Sequence, residues 1–410
     1  MTHHIALDRL AVTPKAAIIT FVLALFVSLV GSALATQPAF ADDGQLTAGD
    51  VEAPSDTAAD DQVAAAEQPK KAKYTTVAQV VLNRTKGTIK NNRKLKLKAT
   101  LVPVDPTLPI KKKNQKITWS VSRPKIARVS EDGVVQGKRT GTVRVTATAA
   151  NGVKASAKIK VKVNRKMMAK RIPVLTYHRV CSDKAKSRIY NDTNLATSES
   201  LFKRQMSWLK SNGYHTVSCE EFADWNIEGA FLPKKSVMIT FDDGFYETYH
   251  VAYPILRKYN LKATSFVIGK HISKTTDEYN PTVWWDRYVG RDVIREVRKE
   301  YPNLEFQSHT YNMHHRSGEY GVATVMSRES IDADFEKNAK FGFTAIAYPF
   351  GHTSKNLLAS VRANPDIRIG FGYMMDYPAT RKSSRYNIPR FKVFGDGGLD
   401  SFKSIVRTAE

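Results

Sequence analysis

The sequence predicts a multidomain chain in which an all-β sandwich is followed by an α/β domain. Between residues 74 and 165, charged and apolar side chains alternate, as in Lys158–Val163, and this period of two predicts strands with one buried and one solvated face. From residue 168 onward, apolar runs of strand length alternate with amphipathic stretches of helix length. That order predicts parallel strands covered by helices, as either a (β/α) barrel or a doubly wound sheet. A length of 410 residues also favours more than one core.

Residues 1–41 have the pattern of an export signal. Arg9 and Lys15 precede the apolar run Ala16–Val30, and Ala39-Phe40-Ala41 forms an A-x-A type cleavage site. The alternative is an uncleaved membrane anchor, since the small residues that follow extend the run to about 20 residues. Both interpretations predict a secreted or cell-wall-associated protein, with membrane contact only if the signal is uncleaved.

Charge is distributed unevenly along the chain, whose formal net charge is +24. Residues 42–69 carry eight acids and no Lys or Arg, with few large apolar side chains, which predicts a disordered acidic linker over 42–73. Residues 70–171 carry 28 Lys and Arg against three acids. The excess positive charge therefore belongs to the predicted sandwich domain at 74–165.

The strands of this domain are separated by turn signals, and their order resembles a known module. The segments Ile117–Ser122, Ile126–Val129, Gly133–Val135 and Gly141–Val143 are similar to those of a bacterial Ig-like group 2 domain. The resemblance implies a spacer or a wall- or glycan-associated unit without catalytic residues.

The lysines of the alternating strands have two interpretations. They are either a solvated surface or a means of retention on anionic cell-wall polymers through a screened, salt-sensitive attraction. Nucleic acid is not the expected partner, because the chain is predicted to be exported and the lysines are not interleaved with stacking aromatic residues.

The α/β domain is predicted to span 168–410. Its predicted strands are Ile172–Tyr177, Ser236–Phe241, Ala263–Ile268, Leu304–Ser308, Ala345–Tyr348 and Ile367–Phe371. Its predicted helices are Leu201–Ser211, Glu247–Tyr259, Asp286–Lys299 and Lys355–Ala363. The two cysteines, Cys181 and Cys219, follow predicted strands, and the sequence leaves open whether they form a disulfide or remain unreactive thiols.

Chemically useful residues follow three of the predicted strands. Asp242 and Asp243 come directly after one strand, and His309, His314 and His315 follow another. Taken alone, Asp-Asp-Gly is more often a turn and the histidines could be chance residues of a surface loop. Since chemistry in these folds lies at the carboxyl ends of strands, the pattern also predicts a site in which imidazoles and one carboxylate hold a metal ion.

These motifs together resemble the polysaccharide deacetylase (NodB-like) family over about residues 168–405. The resemblance rests on Thr240–Gly244, the His309/His314 pair and Tyr348–Gly351, in that order at strand ends. The opening strand Ile172–His178 is similar to that of extracellular members. The resemblance implies a distorted (β/α) barrel and a hydrolase that removes acetyl groups from N-acetylated sugars.

The resemblance also implies a role for each matching residue. Asp243, His309 and His314 would hold a divalent metal, most plausibly zinc, and Asp242 would be the general base. The backbone N–H of Phe350 would stabilise the oxyanion that develops on the acyl group.

Three departures from the family pattern bear on the mechanism. The histidines are five residues apart rather than four, which resembles the branch acting on β-1,6-linked N-acetylglucosamine polymers. Ala347 stands where many members have an arginine, so Asp242 is expected to lack that partner. No histidine occurs in 387–391, where many members place the general acid, and His178 is the remaining candidate beside a packing role.

The sequence does not select the polymer. Peptidoglycan is the first expectation because of the basic wall-type module, and poly-β-1,6-N-acetylglucosamine is the alternative because of the histidine spacing. An O-deacetylase of acetylated xylan and an inactive glycan-binding surface protein remain as further readings, and the complete Asp/Asp/His/His set argues against the inactive one.

Overall fold

The computed structural model describes residues 72–91, 93–191, 193–276 and 287–410. The predicted export signal over 1–41 and nearly all of the predicted acidic linker lie outside the described residues. No helix among the described residues is long and apolar enough to cross a membrane.

The first part of the described chain is a β-sandwich. Its strands are β1 Val77–Leu82, β2 Lys86–Lys90, β3 Lys94–Lys96, β4 Ala99–Pro103, β5 Ile117–Val121, β6 Ala127–Val129, β7 Val134–Gly137, β8 Gly141–Ala149 and β9 Lys154–Lys162. They pair in the order β2-β9-β8-β5 in one sheet, β3-β7-β6 in a second, and β1-β4 as an antiparallel pair.

The period-two pattern of the sequence accounts for the packing of the sandwich. Along β9, Ala157, Ile159 and Val161 are buried while the lysines between them are exposed. These buried residues join Val143 and Val145 of β8 in one apolar core. The prediction of strands with one wet face is therefore confirmed for β8 and β9.

The second part begins at β10 and alternates strands with helices. The strands are β10 Arg171–Ile172, β11 Val174–Tyr177, β12 Arg179–Cys181, β13 Ala196–Ser198, β14 His215–Thr216, β15 Ser236–Phe241, β16 Ala263–Val267, β17 Leu304–Ser308, β18 Arg316–Ser317, β19 Tyr320–Gly321, β20 Ala345–Ala347, β21 Ile369–Phe371, β22 Ala379–Thr380 and β23 Phe391–Lys392. The helices are α1 Asp183–Arg188, α2 Glu199–Ser211, α3 Cys219–Glu228, α4 Tyr253–Tyr259, α5 Arg291–Glu300, α6 Arg328–Ala339, α7 Lys355–Ala363 and α8 Gly398–Arg407.

A parallel sheet in the order β21-β20-β17-β16-β15-β11-β23 organises this part. The chain just before β23 connects the two edges of this sheet. At the β21 edge, Ile388 exchanges backbone hydrogen bonds with Gly370 and Gly372, and at the other edge Phe391 of β23 pairs with Leu175 of β11. The result is a distorted (β/α) barrel, and the doubly wound alternative is wrong. The carboxyl ends of its strands face one mouth, where the chemistry of such barrels lies.

Some sequence predictions differ from the structure. The predicted helix at Glu247–Tyr259 begins with a π-helical turn, Thr248–Ala252, before α4. Helices α1, α3, α6 and α8 were not predicted. The predicted start of the next helix at Asp286 lies outside the described residues, and α5 begins at Arg291.

Residues Lys70–Glu410 form one compact unit, in which the sandwich contacts helix α3 of the barrel. Lys138 Nζ lies 2.5 Å from a carboxylate oxygen of Asp224, and Arg128 lies 2.8 Å from Glu220. The backbone N–H of Phe231 donates to the carbonyl of Lys138 over 2.7 Å. The two domains therefore meet through ion pairs and a backbone contact.

Candidate metal centre and active site

The three predicted metal ligands converge at the mouth of the barrel. Asp243 follows β15, whereas His309 and His314 follow β17, which is separated from β15 by β16 in the sheet. The Oδ1 atom of Asp243 lies 3.3 Å from Nε2 of His309 and 3.1 Å from Nε2 of His314. Asp243 and His309 are buried and His314 is half-buried, so one face of the cluster is accessible.

The donor atoms of this cluster fit a divalent cation. Nδ1 of His309 lies 2.9 Å from the carbonyl oxygen of Ala347, which can only accept, so this nitrogen donates to Ala347 and the ring is held with Nε2 towards Asp243. Apart from these two imidazole nitrogens, the buried Oδ1 atom of Asp243 has no polar partner in the described structure. A carboxylate and two imidazoles with an open fourth position are a ligand set typical of hydrolytic zinc sites.

Electrostatics inside the cluster favour the ionised carboxylate. Burial alone would raise the pKa of Asp243, but His309 and His314 hold it well below its ordinary value. Burial would conversely lower the pKa of His314, and the Asp243 carboxylate raises it. Asp243 is therefore a permanent negative charge facing two nitrogen ligands.

Asp242 has a partner that the sequence analysis missed. Both of its oxygens accept from Arg390, at 2.8 Å from Nη1 and 2.7 Å from Nη2, and both side chains are buried. The expectation that Asp242 lacks a cationic partner because Ala347 replaces the usual arginine is wrong. Arg390 supplies the guanidinium from the residue immediately before β23.

The position of Arg390 is itself tightly held. Its Nε donates to the carbonyl of Gly372 and its Nη1 contacts the hydroxyl of Thr240. Burial alone would raise the pKa of Asp242, whereas Arg390 and the nearby histidines hold it below its ordinary value. Asp242 is therefore ionised and fixed in orientation, as a proton acceptor must be.

Strained backbone marks each strand end that contributes to the site. Asp243, Thr310 and Phe350 adopt left-handed φ angles of 73°, 69° and 60° although none is glycine. Such conformations cost free energy and persist where the surrounding structure fixes them, commonly at active sites. The ring of Phe350 stacks on His314 with a centroid distance of 4.7 Å, so the predicted oxyanion residue also packs against a ligand.

His178, the candidate general acid, lies at the same mouth after β11. Its ring packs edge-on against Tyr373 at a centroid distance of 5.5 Å. Burial lowers its pKa, although the negative charges of Asp243 and Asp242 oppose that shift. The structure thus places His178 beside the carboxylates, while its role as a proton donor stays a prediction.

The two cysteines are free and buried. Burial raises the pKa of Cys181 to about 12 and that of Cys219 well above its ordinary value. Of the two alternatives, the structure favours unreactive thiols.

Comparison with known proteins places the chain in a family. A family model described as polysaccharide deacetylase matches residues 231–365, and one for the bacterial Ig-like domain (group 2) matches 98–161. A poly-beta-1,6-N-acetyl-D-glucosamine N-deacetylase of Staphylococcus aureus (strain MRSA252) is 30% identical over 215 residues, which are 50% of this chain and 69% of that protein. The chain belongs to the polysaccharide deacetylase family. Both family resemblances predicted from the motifs are thereby confirmed.

The chain is also similar to a further curated relative and to several solved structures. The enzyme of the same description from Staphylococcus epidermidis is 28% identical over 222 residues, covering 52% of this chain and 72% of that protein. Among solved structures, a Streptococcus pyogenes deacetylase, PplD in complex with acetate, is similar at 23% identity with a TM-score of 0.47, covering 58% of this chain and 99% of that one. IcaB from Ammonifex degensii is similar at 20% identity with a TM-score of 0.47, covering 59% and 98%.

As a member of this family, the chain is a hydrolase acting on carbon–nitrogen bonds of a polysaccharide. The metal-site and base residues identified above are the groups through which it would act.

Proposed function

We propose that this polysaccharide deacetylase hydrolyses the acetamide groups of poly-β-1,6-N-acetylglucosamine, with zinc as its metal. The observation that carries the chemistry is the buried Oδ1 of Asp243, which faces only the two Nε2 atoms of His309 and His314 and follows directly on Asp242, whose carboxylate is fixed by Arg390. The activity of the staphylococcal relatives supports this polymer, as does the five-residue histidine spacing. Peptidoglycan, the first expectation from the sequence, becomes the second candidate.

The metal site supplies one part of the chemistry. A divalent ion held by Asp243, His309 and His314 would polarise the acyl carbonyl and bring the pKa of a coordinated water to about 7. The protein's own groups account for the remaining proton transfers and for orientation.

Asp242 takes the proton from the attacking water. Its two oxygens are fixed by Arg390, so the carboxylate needs no reorganisation when the water approaches. The carbon–oxygen bond of acetate forms at the acyl carbon, and the oxyanion receives a hydrogen bond from the Phe350 N–H.

The carbon–nitrogen bond then breaks, and the amine nitrogen of the sugar takes up a proton. We assign His178 to pass on to this nitrogen the proton that Asp242 took from the water, because its ring packs against Tyr373 at the mouth of the barrel and interacts electrostatically with both carboxylates. The products are acetate and a glycan with a free amine.

Acetate release from a panel of polymers tests this function. The full chain, supplied with zinc, is incubated with poly-β-1,6-N-acetylglucosamine, peptidoglycan and acetylated xylan. The first polymer should give the largest kcat/KM. Replacement of His178 by glutamine should stop acetate release, and unchanged release by this variant would show that His178 takes no part in the reaction. Release from xylan alone would indicate an O-deacetylase, and binding without any release would favour the glycan-binding reading.

A second function, retention on an anionic polymer, is favoured by one feature of the sandwich. On the outer face of the β2-β9-β8 sheet, Lys86 lies opposite Lys158, and Lys158 lies opposite Arg144 on the next strand. All three are exposed, and neighbouring strands are about 4.8 Å apart. Like charges in direct register repel and destabilise a sheet.

Further along the same two strands, Lys90 lies opposite Lys162. We call these five residues, Lys86, Lys90, Arg144, Lys158 and Lys162, the cationic row. Among the described residues the salt bridges include none of these five cations. A flexible polymer of phosphates or carboxylates would relieve the repulsion between these cations. We propose that, if the protein is exported, the cationic row binds such a polymer in the cell wall.

Binding of long-chain polyphosphate tests the cationic row. The variant Lys86→Gln/Arg144→Gln/Lys158→Gln should bind at least about tenfold more weakly at low salt. Replacing Lys111, Lys112 and Lys113 by glutamine removes the same charge from another exposed segment and is the matched control. Equal weakening of both variants would show that net charge, not this face, determines binding.

A further inference from the structure

A short hairpin stands beside the catalytic residues and carries an exposed aromatic ring. Strands β18 and β19 pair Ser317 with Tyr320, and Gly318 adopts a φ of 62° in the two-residue turn between them. The side chain of Tyr320 is 59% exposed. The hairpin lies directly after the metal-site residue His314.

The hairpin is anchored to the active site at both strands. The backbone N–H of Gly321 donates to Nδ1 of His352 over 3.0 Å. The guanidinium of Arg316 lies over the ring of Phe350 at 4.9 Å from its centroid and donates to the carbonyl of Glu319 over 2.7 Å. The exposed ring is therefore held by a fixed element and does not lie on a free loop.

A continuous series of rings connects Tyr320 to the metal centre. Phe350 stacks on His314 at 4.7 Å, His352 lies 6.1 Å from Phe350, and Tyr320 lies 5.8 Å from His352. Three successive ring contacts therefore separate Tyr320 from the metal-site residue His314. A glycan that extends from the metal centre along this hairpin would place another of its rings over Tyr320.

Tyr320 has the chemistry to bind that ring. One face of a pyranose of the glucose type presents axial C–H groups, which pack on the apolar face of an aromatic side chain, while the tyrosine hydroxyl remains in water. A tyrosine also loses little conformational entropy on binding, because it has only two side-chain torsions.

We propose that Tyr320 is a stacking platform for a sugar ring of the polymer that is not itself being deacetylated. This inference rests on the proposed function, since it assigns a subsite for the same glycan. The platform makes the enzyme favour a polymer over a single sugar, because binding energy from a remote ring holds the reacting acetamide in place.

Two measurements on the full chain test the platform. The first is calorimetric binding of a neutral β-1,6-linked glucose pentamer, whose rings present the same C–H face but carry no acetamide. The second is acetate release from N-acetylglucosamine oligomers from the dimer to the pentamer. Because the first needs no turnover, failure of the platform and failure of the proposed reaction are visible separately.

Tyr320→Ala should bind the pentamer about tenfold more weakly and should lose the gain in kcat/KM with chain length. Tyr320→Phe keeps the stacking face and should behave like the unaltered protein. Tyr74→Ala removes an equally exposed tyrosine, 52% exposed, from the sandwich and is the matched control. Unchanged pentamer binding by Tyr320→Ala, or no pentamer binding by the unaltered protein, would overturn the proposal.

Discussion

At the scale of single residues, catalysis depends on the two parallel hydrogen bonds between Arg390 and Asp242. Lysine keeps the positive charge but cannot make a planar bidentate contact. Arg390→Lys should therefore lower kcat/KM about 100-fold while leaving the metal content unchanged. Acetate release and elemental analysis of the same preparation measure both quantities.

The control for this substitution is Arg385→Lys. Arg385 lies over the ring of Tyr386 and contacts neither carboxylate of the site. Its replacement should leave activity within twofold. Full activity of Arg390→Lys would mean that the orientation of Asp242 does not depend on its two parallel hydrogen bonds with Arg390.

The burial of Cys181 and Cys219 predicts slow thiol chemistry. With the pKa of Cys181 near 12 and that of Cys219 also raised, almost no thiolate exists at neutral pH. Iodoacetamide should add no label to the folded protein and two labels after denaturation without reductant, measured by intact mass. Absence of labels after denaturation would instead reveal a disulfide.

The sequence allowed some residues of the site to be identified and not others, for a structural reason. Asp242 and Asp243 follow a fully buried strand, and His309 follows a strand in which every residue but Glu305 is buried, so their place at the carboxyl ends could be predicted. Arg390 precedes the two-residue strand β23 and reaches the site from a different direction.

At the scale of secondary-structure elements, the hairpin β18–β19 positions Phe350 by contact with Gly321. A Cβ atom added at Gly321 would lie 2.9 Å from Cδ2 of Phe350, and the φ of Gly321, −65°, is one that alanine adopts without strain. Gly321→Ala should displace the ring and lower kcat about tenfold, with unchanged metal content.

A double-mutant cycle separates this contact from a general effect on the hairpin. In a Phe350→Ala background the added methyl group has room, so Gly321→Ala should cost little further activity. Additive losses in kcat across the cycle would contradict a role for the Gly321–Phe350 contact.

The elements differ in how well the sequence predicts them. β15 was predicted to the residue, because an apolar run buried on both sides ends abruptly at Asp242. β17 was also predicted to the residue, although Glu305 and Gln307 interrupt its apolar side chains. Helix α6 was missed because it buries Asp334 and Asn338 beside Ile331 and Phe335, which weakens the apolar period. Strands of two residues, such as β18, have no period to detect.

At the scale of the whole molecule, the sandwich and the barrel are joined through Asp224. Its carboxylate contacts Lys138 of the sandwich at 2.5 Å and Arg368 of the barrel at 3.0 Å, and its side chain is buried. Lys138→Met should lower the free energy of unfolding by about 2 kcal/mol, measured by urea denaturation. Arg139→Met removes the neighbouring exposed cation and should change it by less than about 0.5 kcal/mol. Equal effects of the two substitutions would argue against a stabilising contact between domains.

The two adjacent aspartates are assigned different roles, Asp242 as the base and Asp243 as a metal ligand, and a metal titration tests this assignment most directly. Zinc is added to metal-free protein while bound metal and acetate release from poly-β-1,6-N-acetylglucosamine are recorded together. The unaltered chain should reach full activity at one equivalent. Asp242→Asn should bind one equivalent and release no acetate, whereas Asp243→Asn should bind zinc far more weakly. Acetate release by Asp242→Asn, or its failure to bind zinc while Asp243→Asn binds it fully, would contradict the assignment of base and ligand.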